Sequence, residues 1–279
     1  MGAQGIGKIM AITQTAYAKI NLALHVRERR HDGYHVLETL FAFVDAGDTL
    51  TARLADQDSL QTFGSFAQSI DNPMDNLVAR ALAALPRPQG LAVTLEKNLP
   101  VAAGLGGGSA DAGAVFRMVE ELQGLPGDWQ ARAAKLGADV PSCVRSEMAI
   151  GLGTGTELSE VENDLRSTSV LLVNPSVPLS TGPVFKAWDQ VDRGPLPTGT
   201  ARAITLEGRN DLDTPALELC PVIGDVLAAL DRTDAWLTRM SGSGATCFAL
   251  FDTVEERDAA QACIAKAHPK WWMLGGKLR

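Results

Sequence analysis

The sequence lacks the features that mark several large classes of protein. No stretch of 18 consecutive apolar residues occurs, so we expect no membrane-spanning helix. The 25 basic residues are outnumbered by 33 acidic ones and form no long run, which argues against a nucleic-acid-binding face. The four cysteines include no C-x-x-C pair, which argues against a zinc ribbon or a disulfide framework. These absences predict a cytoplasmic protein with neither nucleic acid nor a membrane as partner, and they leave the oligomeric state open.

The length allows more than one domain. The 279 residues are enough for one large domain or two packed ones. The acidic stretch Glu160 to Asp164 precedes the apolar segment Val170 to Asn174, and we place a domain boundary there. The predicted domains are residues 1–160 and 161–279. Met10 is an alternative start, which would make the preceding residues a short extension.

The most informative feature is a glycine loop that leads into a helix. It lies between an alternating segment, 91–95, and a segment with helical apolar periodicity, 112–122. Four glycines occur in the five residues 104–108, and they let the backbone approach a ligand closely. The first N–H groups of the helix, with Ser109 as the expected cap, attract anions. The loop therefore predicts a phosphate site, with a purely structural turn as the alternative.

The common glycine motifs do not fit this loop. A Walker A motif needs a lysine directly after its last glycine, and none occurs from Val101 to Glu120. A dinucleotide-binding fingerprint needs Gly or Ala in place of Ser109, and a protein-kinase loop needs a His-Arg-Asp segment that the sequence lacks. A nucleophile elbow needs glycine two residues before and two residues after its serine. Asp111 stands in the second of these positions for Ser109, and Ser241 stands in the first for Ser243. A phosphate bound here therefore needs positive charge from elsewhere in the chain.

Lys19 is the leading candidate for that charge, and Asp139 is the leading candidate for a general base. Lys19 begins an alternating segment, 19–26, whose polar face also carries Asn21; a solvated strand face is the alternative. Asp139 follows the helix stop at Gly137 on a short loop, where an ordinary turn aspartate is the alternative. Phosphoryl transfer needs phosphate-binding amides, a cation and a base, and the sequence offers all three.

A predicted hairpin turn supplies aromatic candidates. Tyr34 and His35 follow the turn residues Asp32-Gly33, where their rings could contact a ligand or simply pair at a strand edge. His31 and His35 have a spacing that could suit a metal ion. Gly33 breaks any helix that would bring these two histidines together, so we expect no structural metal there.

Several blocks of the sequence together resemble the superfamily of galactose, homoserine, mevalonate and phosphomevalonate kinases. The glycine loop resembles its phosphate loop, and a second glycine turn, Met240–Ala245, resembles its late glycine motif. The match is closest to members whose acceptor carries a cytidine diphosphate group in non-mevalonate isoprenoid synthesis. The other residues that carry the resemblance are Ala18-Lys19-Ile20-Asn21-Leu22, Asp32-Gly33-Tyr34-His35 with Leu40-Phe41, Leu136-Gly137-Ala138-Asp139-Val140-Pro141 and Asn210-Asp211-Leu212.

The resemblance implies an α+β fold in two domains, with ATP and the substrate in the cleft between them. It implies transfer of the γ-phosphoryl group of ATP to a hydroxyl of the acceptor, with Asp139 as base and Lys19 orienting it. Mg²⁺ is implied as a cofactor, and because Ala110 stands where many members have a serine, its contact is left to Ser109 or water. ATP would be bound by the loop residues Pro100, Val101, Ala102, Ala103, Gly104, Leu105, Gly106, Gly107, Gly108, Ser109 and Ala110.

The resemblance also implies a binding site for a small-molecule acceptor with a cytidine diphosphate group. Tyr34 would stack on cytosine, His35 would read the edge of the base and Phe185 would stack on the opposite side. Two alternatives stay open at this point: another small-molecule kinase of the superfamily, such as one for homoserine or mevalonate, or a catalytically silent nucleotide-binding protein. The full set of expected acceptor-binding residues is Asn21, Tyr34, His35, Phe185, Gly242 and Ser243.

Overall fold

The computed structural model describes residues 11–69 and 76–279, and the strands of these residues form two sheets. No helix in the described ranges has both the length and the hydrophobicity that crossing a bilayer requires. The strands are β1 Ile12–Arg29, β2 His35–Ala55, β3 Ser59–Phe63, β4 Gly90–Glu96, β5 Ala149–Gly153, β6 Glu157–Ser159, β7 Ser169–Asn174, β8 Leu237–Met240, β9 Cys247–Phe251 and β10 Trp272–Lys277. The helices are α1 Leu77–Ala84, α2 Gly107–Gln123, α3 Trp129–Leu136, α4 Val140–Arg145, α5 Thr181–Lys186, α6 Ala201–Glu207, α7 Asp213–Leu219, α8 Val222–Leu230 and α9 Val254–Ala267.

The first sheet is built around the long hairpin of β1 and β2. Its strand order is β3-β4-β2-β5-β6, with β1 paired to β2, and β3 runs parallel to β4 while the other pairs are antiparallel. The predicted hairpin is confirmed. The sequence pattern predicts separate strands over 36–44 and 49–54, but these residues form the single strand β2. Gly47 explains the continuity, because a Cβ there would lie 1.9 Å from the carbonyl oxygen of Ala16 on β1. Only glycine lets the two strands stay this close.

Strand β1 is buried on both faces, which its alternating pattern did not predict. Lys19, Asn21 and His25, on the face expected to be polar, are 4%, 3% and 1% exposed. The strand pairs with β2 in the first sheet and is also covered by the second sheet, because Ile20 belongs to a buried hydrophobic cluster that includes Phe248 of β9. Since both faces of β1 are shielded from water, each polar side chain on this strand needs a hydrogen-bond or ionic partner inside the protein.

The second sheet has the order β10-β7-β9-β8, with every neighbouring pair antiparallel. Helices α8 and α9 pack against it, and α2 packs against the first sheet. This mixture of separate helices and mainly antiparallel sheets confirms the α+β class. The predicted division at residue 160 lies in the connection from β6 to β7. A hydrophobic cluster nevertheless joins the two sheets, so the division into two domains stays a prediction.

Helices α1 and α9 both begin at capping side chains that lie next to the helix in the sequence. Asn76 caps α1, and its side chain accepts a hydrogen bond of 2.9 Å from the N–H of Val78. The sequence Asn72-Pro73-Met74-Asp75-Asn76 predicts a cap at this point, and its residues 72–75 lie outside the described residues. The spacing of Thr253 and Glu256 predicts a capping box, and these two residues form one at the start of α9. Both caps follow from side chains close in sequence, which is why sequence patterns predict them well.

Candidate active site

A cleft of about 1080 Å³ brings most of the predicted site residues together. The side chains of Leu105 and Ala110 are exceptions, because each is only 1% exposed and packs into the hydrophobic interior. The backbone of Leu105 still contributes to the site, since its carbonyl accepts a hydrogen bond of 3.0 Å from the N–H of Lys19. The predicted residues in the wall of the cleft are Lys19, Asn21, Tyr34, His35, Pro100, Val101, Ala102, Ala103, Gly104, Gly106, Gly107, Gly108, Ser109, Asp139, Phe185, Gly242 and Ser243.

The glycine loop leads into the first turn of α2, as predicted. Gly106 precedes the helix with φ +60°, and a Cβ there would lie 3.0 Å from Cε of Lys19. The N–H of Ala110 donates to the carbonyl of Gly106 at 2.8 Å, which is the first hydrogen bond of the helix. The three amides in between, 107–109, therefore have no acceptor within the helix. They make this part of the cleft attractive to anions.

The prediction that Ser109 caps the helix was wrong. The helix begins at Gly107, so Ser109 lies inside its first turn. Glycine occupies the left-handed boundary position at Gly106 without steric cost, and a capping side chain is not required. The Ser109 hydroxyl instead approaches the loop before Asp139: a Cβ built on Gly137 would lie 3.9 Å from Oγ of Ser109.

Lys19 and Asp139 form an ion pair in the wall of the cleft. Nζ of Lys19 lies 2.9 Å from Oδ2 of Asp139, with the two side chains 6% and 35% exposed. The ammonium also lies 3.4 Å from Oδ1 of Asn21 and 4.6 Å from the ring centroid of Phe41. A buried ammonium is stable only with partners such as these. The alternative of a solvated strand face for Lys19 is therefore wrong.

Asp139 is held in place by the packing of α4 against α2. It stands in the turn after α3, as predicted, and directly precedes α4, a short helix that the sequence reading missed. Gly113 on α2 allows the close contact, because a Cβ there would lie 2.5 Å from the carbonyl oxygen of Cys143. Arg117, one helical turn further on, donates to the same carbonyl at 2.7 Å. The helix that carries the glycine loop thus also positions Asp139.

The second glycine turn, Met240–Ala245, lies against the glycine loop and β1. The hydroxyl of Ser241 accepts from the N–H of Asn21 at 3.2 Å and donates to the carbonyl of Gly104 at 2.9 Å. A Cβ on Gly242 would lie 3.0 Å from Oδ1 of Asn21, so this turn closely approaches the amide beside Lys19. The hydroxyls of Ser243 and Thr181 are 3.0 Å apart. These contacts, and the position of Gly242 and Ser243 in the wall of the cleft, favour a role of Met240–Ala245 in the site.

Three aromatic side chains form the end of the cleft near the β1–β2 turn. Tyr34 is 64% exposed, whereas His35 is 7% exposed with its ring centroid 5.0 Å from that of Phe185. The resemblance implied that Phe185 stacks opposite Tyr34; here its aromatic neighbour is His35. Burial, together with the nearby Arg29, lowers the pKa of His35, so its imidazole is neutral near pH 7. Its buried Nε2 has no hydrogen-bond partner among the described residues.

Sequence reasoning missed a buried charged cluster below the start of α2. Nζ of Lys97 contacts Asp48 and lies 2.7 Å from Oδ2 of Asp111, and all three side chains are almost fully buried. Lys97 also lines the cleft, and a Cβ on Gly107 would lie 3.2 Å from its Nζ. Burial raises the pKa of Asp111 to about 7, with Lys97 opposing the shift. One signal was available: Asp111 interrupts the apolar stripe of α2.

The described residues contain no group of three or more His, Cys, Asp or Glu side chains arranged to hold a metal ion. Among the predicted site residues that line the cleft, Ser109 offers a hydroxyl oxygen and Asp139 a carboxylate. Such a sparse set of hard oxygen ligands suits Mg²⁺ that is shared with phosphates and water, and does not suit a fully protein-enclosed ion.

Two family models and a close sequence relative match this chain. The sequence model described as the N-terminal domain of GHMP kinases matches residues 76–156, and that described as the C-terminal domain of GHMP kinases matches residues 198–270. A 4-diphosphocytidyl-2-C-methyl-D-erythritol kinase from Novosphingobium aromaticivorans is 67% identical over 273 residues, which cover 98% of this chain and 95% of that protein.

Two solved structures superpose on this chain, one with a clearly related sequence and one with a distant sequence. A crystal structure of 4-(cytidine 5'-diphospho)-2C-methyl-D-erythritol kinase superposes with a TM-score of 0.81 at 31% identity, covering 96% of this chain and 99% of the other. A homoserine kinase from Cytophaga hutchinsonii superposes with a TM-score of 0.65 at 17% identity, covering 100% and 97%. The second likeness shows a shared fold only.

Proposed function

This chain belongs to the GHMP kinases and, within them, to the family of 4-diphosphocytidyl-2-C-methyl-D-erythritol kinases, and on that premise we propose that it phosphorylates a hydroxyl of 4-diphosphocytidyl-2-C-methyl-D-erythritol with ATP. The reaction is a step of non-mevalonate isoprenoid precursor synthesis. The observation that carries the proposal is the Lys19–Asp139 ion pair of 2.9 Å, which shares a cleft with the free amides of α2.

The triphosphate of ATP binds to the glycine loop. The N–H groups of residues 107–109 have no acceptor within the helix, and the helix dipole adds to their attraction for phosphate oxygens. Gly106 keeps the loop close to Lys19, whose ammonium supplies the positive charge that the loop itself lacks. Positioning and electrostatic stabilisation are the main contributions that a protein makes to phosphoryl transfer.

Asp139 acts as the general base. Lys19 occupies its Oδ2, which fixes the carboxylate and leaves Oδ1 to accept the proton of the attacking hydroxyl. Partial exposure at 35% keeps the carboxylate accessible from the cleft, while Lys19 is almost completely buried behind it. The proton moves from the acceptor hydroxyl to Asp139 as the oxygen attacks the γ-phosphorus, and ADP leaves on the opposite side.

The acceptor binds between the aromatic end of the cleft and the second glycine turn. The exposed ring of Tyr34 offers a stacking surface for a pyrimidine, and the imidazole of His35, which lines the cleft beside it, reads the edge of the base. Phe185, in contact with His35, fixes the orientation of that imidazole. Asn21, Gly242 and Ser243 then lie near the polyol end, beside Lys19.

Mg²⁺ is part of the same proposal. Ser109 would contribute a hydroxyl ligand, with ATP and water supplying the remaining oxygens. When bound, the ion neutralises charge on the phosphates during transfer. The cytoplasmic location and the absence of nucleic-acid and membrane partners remain predictions of the sequence.

An assay of ATP consumption by the purified chain tests the proposed acceptor. The acceptors compared are 4-diphosphocytidyl-2-C-methyl-D-erythritol, the same polyol without the cytidine diphosphate, homoserine and mevalonate. We expect consumption with the first compound alone. Turnover of homoserine or mevalonate would support a different kinase of the superfamily, and ATP binding without turnover of any acceptor would support a silent nucleotide-binding protein.

A further inference from the structure

The segment Arg209–Leu212 connects β1 with the second glycine turn. Asn210 lies at the centre of this connection and is 6% exposed. Its Nδ2 donates to the carbonyl of Met240 at 2.9 Å and to that of Gly242 at 2.8 Å, while its Oδ1 accepts from the N–H of Leu212 at 3.0 Å. One amide side chain thus uses both its donor hydrogens on the same turn.

The backbone on either side of Asn210 is fixed to β1. The N–H of Leu24 donates to the carbonyl of Arg209 at 2.8 Å, and the N–H of Asp211 donates back to the carbonyl of Leu24 at 2.9 Å. The carboxylate of Asp211 accepts from the N–H of Val26 at 2.8 Å. Asn210 is therefore held by the strand that also carries Lys19 and Asn21.

The second glycine turn needs such an external support. Gly242 and Gly244 both adopt positive φ values, +57° and +81°, and glycine there gives the chain more freedom than any other residue would. Within the turn itself, the N–H of Gly244 donates to the carbonyl of Ser241 at 3.0 Å. The carbonyls of Met240 and Gly242 are then left for Asn210, which satisfies both in a buried place.

We propose that Asn210 is a positioning residue that holds Gly242 and Ser243 at the acceptor side of the cleft. It acts through the backbone of the turn, whose Gly242 lies against Asn21 and whose Ser243 contacts Thr181. This inference rests on the proposed function, because it assigns the turn to the acceptor. It predicts that changes at Asn210 affect the acceptor more strongly than ATP.

Asn210→Asp is the sharpest test. The substitution preserves the size of the side chain and the acceptor for Leu212, but places a carboxylate oxygen against two carbonyl oxygens. We expect the KM for 4-diphosphocytidyl-2-C-methyl-D-erythritol to rise about tenfold or more while the KM for ATP stays within about twofold. Asn210→Ser, too short to reach either carbonyl and without charge, should show the same selective effect, and it decides the question if Asn210→Asp does not fold.

Asn163→Asp is the matched control. Asn163 makes the same kind of turn, with Oδ1 accepting from the N–H of Leu165 at 3.2 Å and Nδ2 donating to a main-chain oxygen of Arg279 at 2.9 Å, but it does not line the cleft. Its variant should leave both KM values unchanged. Folded Asn210 variants with an unchanged acceptor KM, or with equal rises in both KM values, would overturn the inference. Failure of the wild-type chain to use the acceptor would instead overturn the proposed function.

Discussion

Gly113 of α2 and Cys143 of α4 are in such close contact that a Cβ on Gly113 would lie 2.5 Å from the Cys143 carbonyl oxygen. Because α4 directly follows Asp139, this contact fixes the distance between the glycine loop and the base. Gly113→Ala must push the two helices apart. We expect a loss of about 1–3 kcal/mol in the free energy of unfolding, together with a lower kcat, measured by urea denaturation and steady-state kinetics.

Gly224→Ala, inside α8, is the control for that substitution. Its added Cβ would meet Leu217 Cδ2 at 3.6 Å, an ordinary contact, so stability and kcat should hold or stability should improve slightly. If Gly113→Ala behaves like Gly224→Ala, then the α2–α4 contact does not position Asp139.

Tyr34 should matter for the acceptor and not for ATP. Its ring is 64% exposed at the aromatic end of the cleft, where no packing role competes with ligand stacking. We expect Tyr34→Ala to raise the KM of the cytidylated acceptor about tenfold or more, with a much smaller change for ATP, in steady-state assays with each substrate varied in turn. Tyr34→Phe, which retains the ring, should stay close to wild type. Equal effects of Tyr34→Ala on both substrates would remove Tyr34 from the acceptor site.

His25 should make the fold sensitive to mild acid. Its Nε2 accepts from the N–H of Arg209 at 3.2 Å, and Nδ1 lies 2.9 Å from the carbonyl oxygen of Pro195, so the neutral ring fits its surroundings. Burial, and then the Arg209 guanidinium, lowers the pKa of His25 below 6.5. Its contribution to stability is therefore present above pH 6.5 and is lost as the pH falls through the lowered pKa of the folded state.

The measurement is the free energy of unfolding of wild type and His25→Gln between about pH 7 and about pH 5. Glutamine can donate and accept hydrogen bonds but does not titrate. The wild type should lose more stability over this range than the variant does. Parallel pH curves for the two proteins would show that His25 does not contribute.

The buried cluster of Lys97, Asp48 and Asp111, called the Lys97 cluster below, should be critical for stability. Removing the ammonium in Lys97→Met leaves the buried carboxylates of Asp48 and Asp111 facing each other, and breaking a buried pair in this way costs about 3–5 kcal/mol. Lys135→Met, on the exposed surface of α3, is the control and should cost little. Urea denaturation measures both. A loss for Lys97→Met no larger than that for Lys135→Met would contradict the assigned role.

The sequence predicts features that arise from residues close together in the chain, and it does not predict contacts between residues far apart in the chain. The glycine loop, the β1–β2 hairpin and the turn at Asp139 follow from neighbouring residues, and the structure contains all three. The Lys97 cluster joins positions 48, 97 and 111, and nothing local indicates that these charges meet. Burial of both faces of β1 was missed for the same reason, because the second sheet that covers it lies far away in sequence.

Two smaller differences have local causes. Ser109 looked like a helix cap because serine is a common capping residue, but the glycines before it adopt the boundary conformation more easily. Helix α4 has only six residues and contains Pro141, so its sequence carries no periodic pattern. The resemblance identified Asp139 correctly as a neighbour of Lys19, which spacing alone did not establish.

The central claim is that Asp139 serves as the general base while Lys19 orients it, and Asp139→Asn tests it most directly. Asp128→Asn, at an exposed aspartate paired with Arg132, is the control. ATP affinity is measured by calorimetry and turnover by ATP consumption with the cytidylated acceptor. The account predicts that Asp139→Asn binds ATP within about threefold of wild type but loses about 10²–10⁴-fold in kcat, while Asp128→Asn retains both. Turnover by Asp139→Asn close to that of wild type would contradict it.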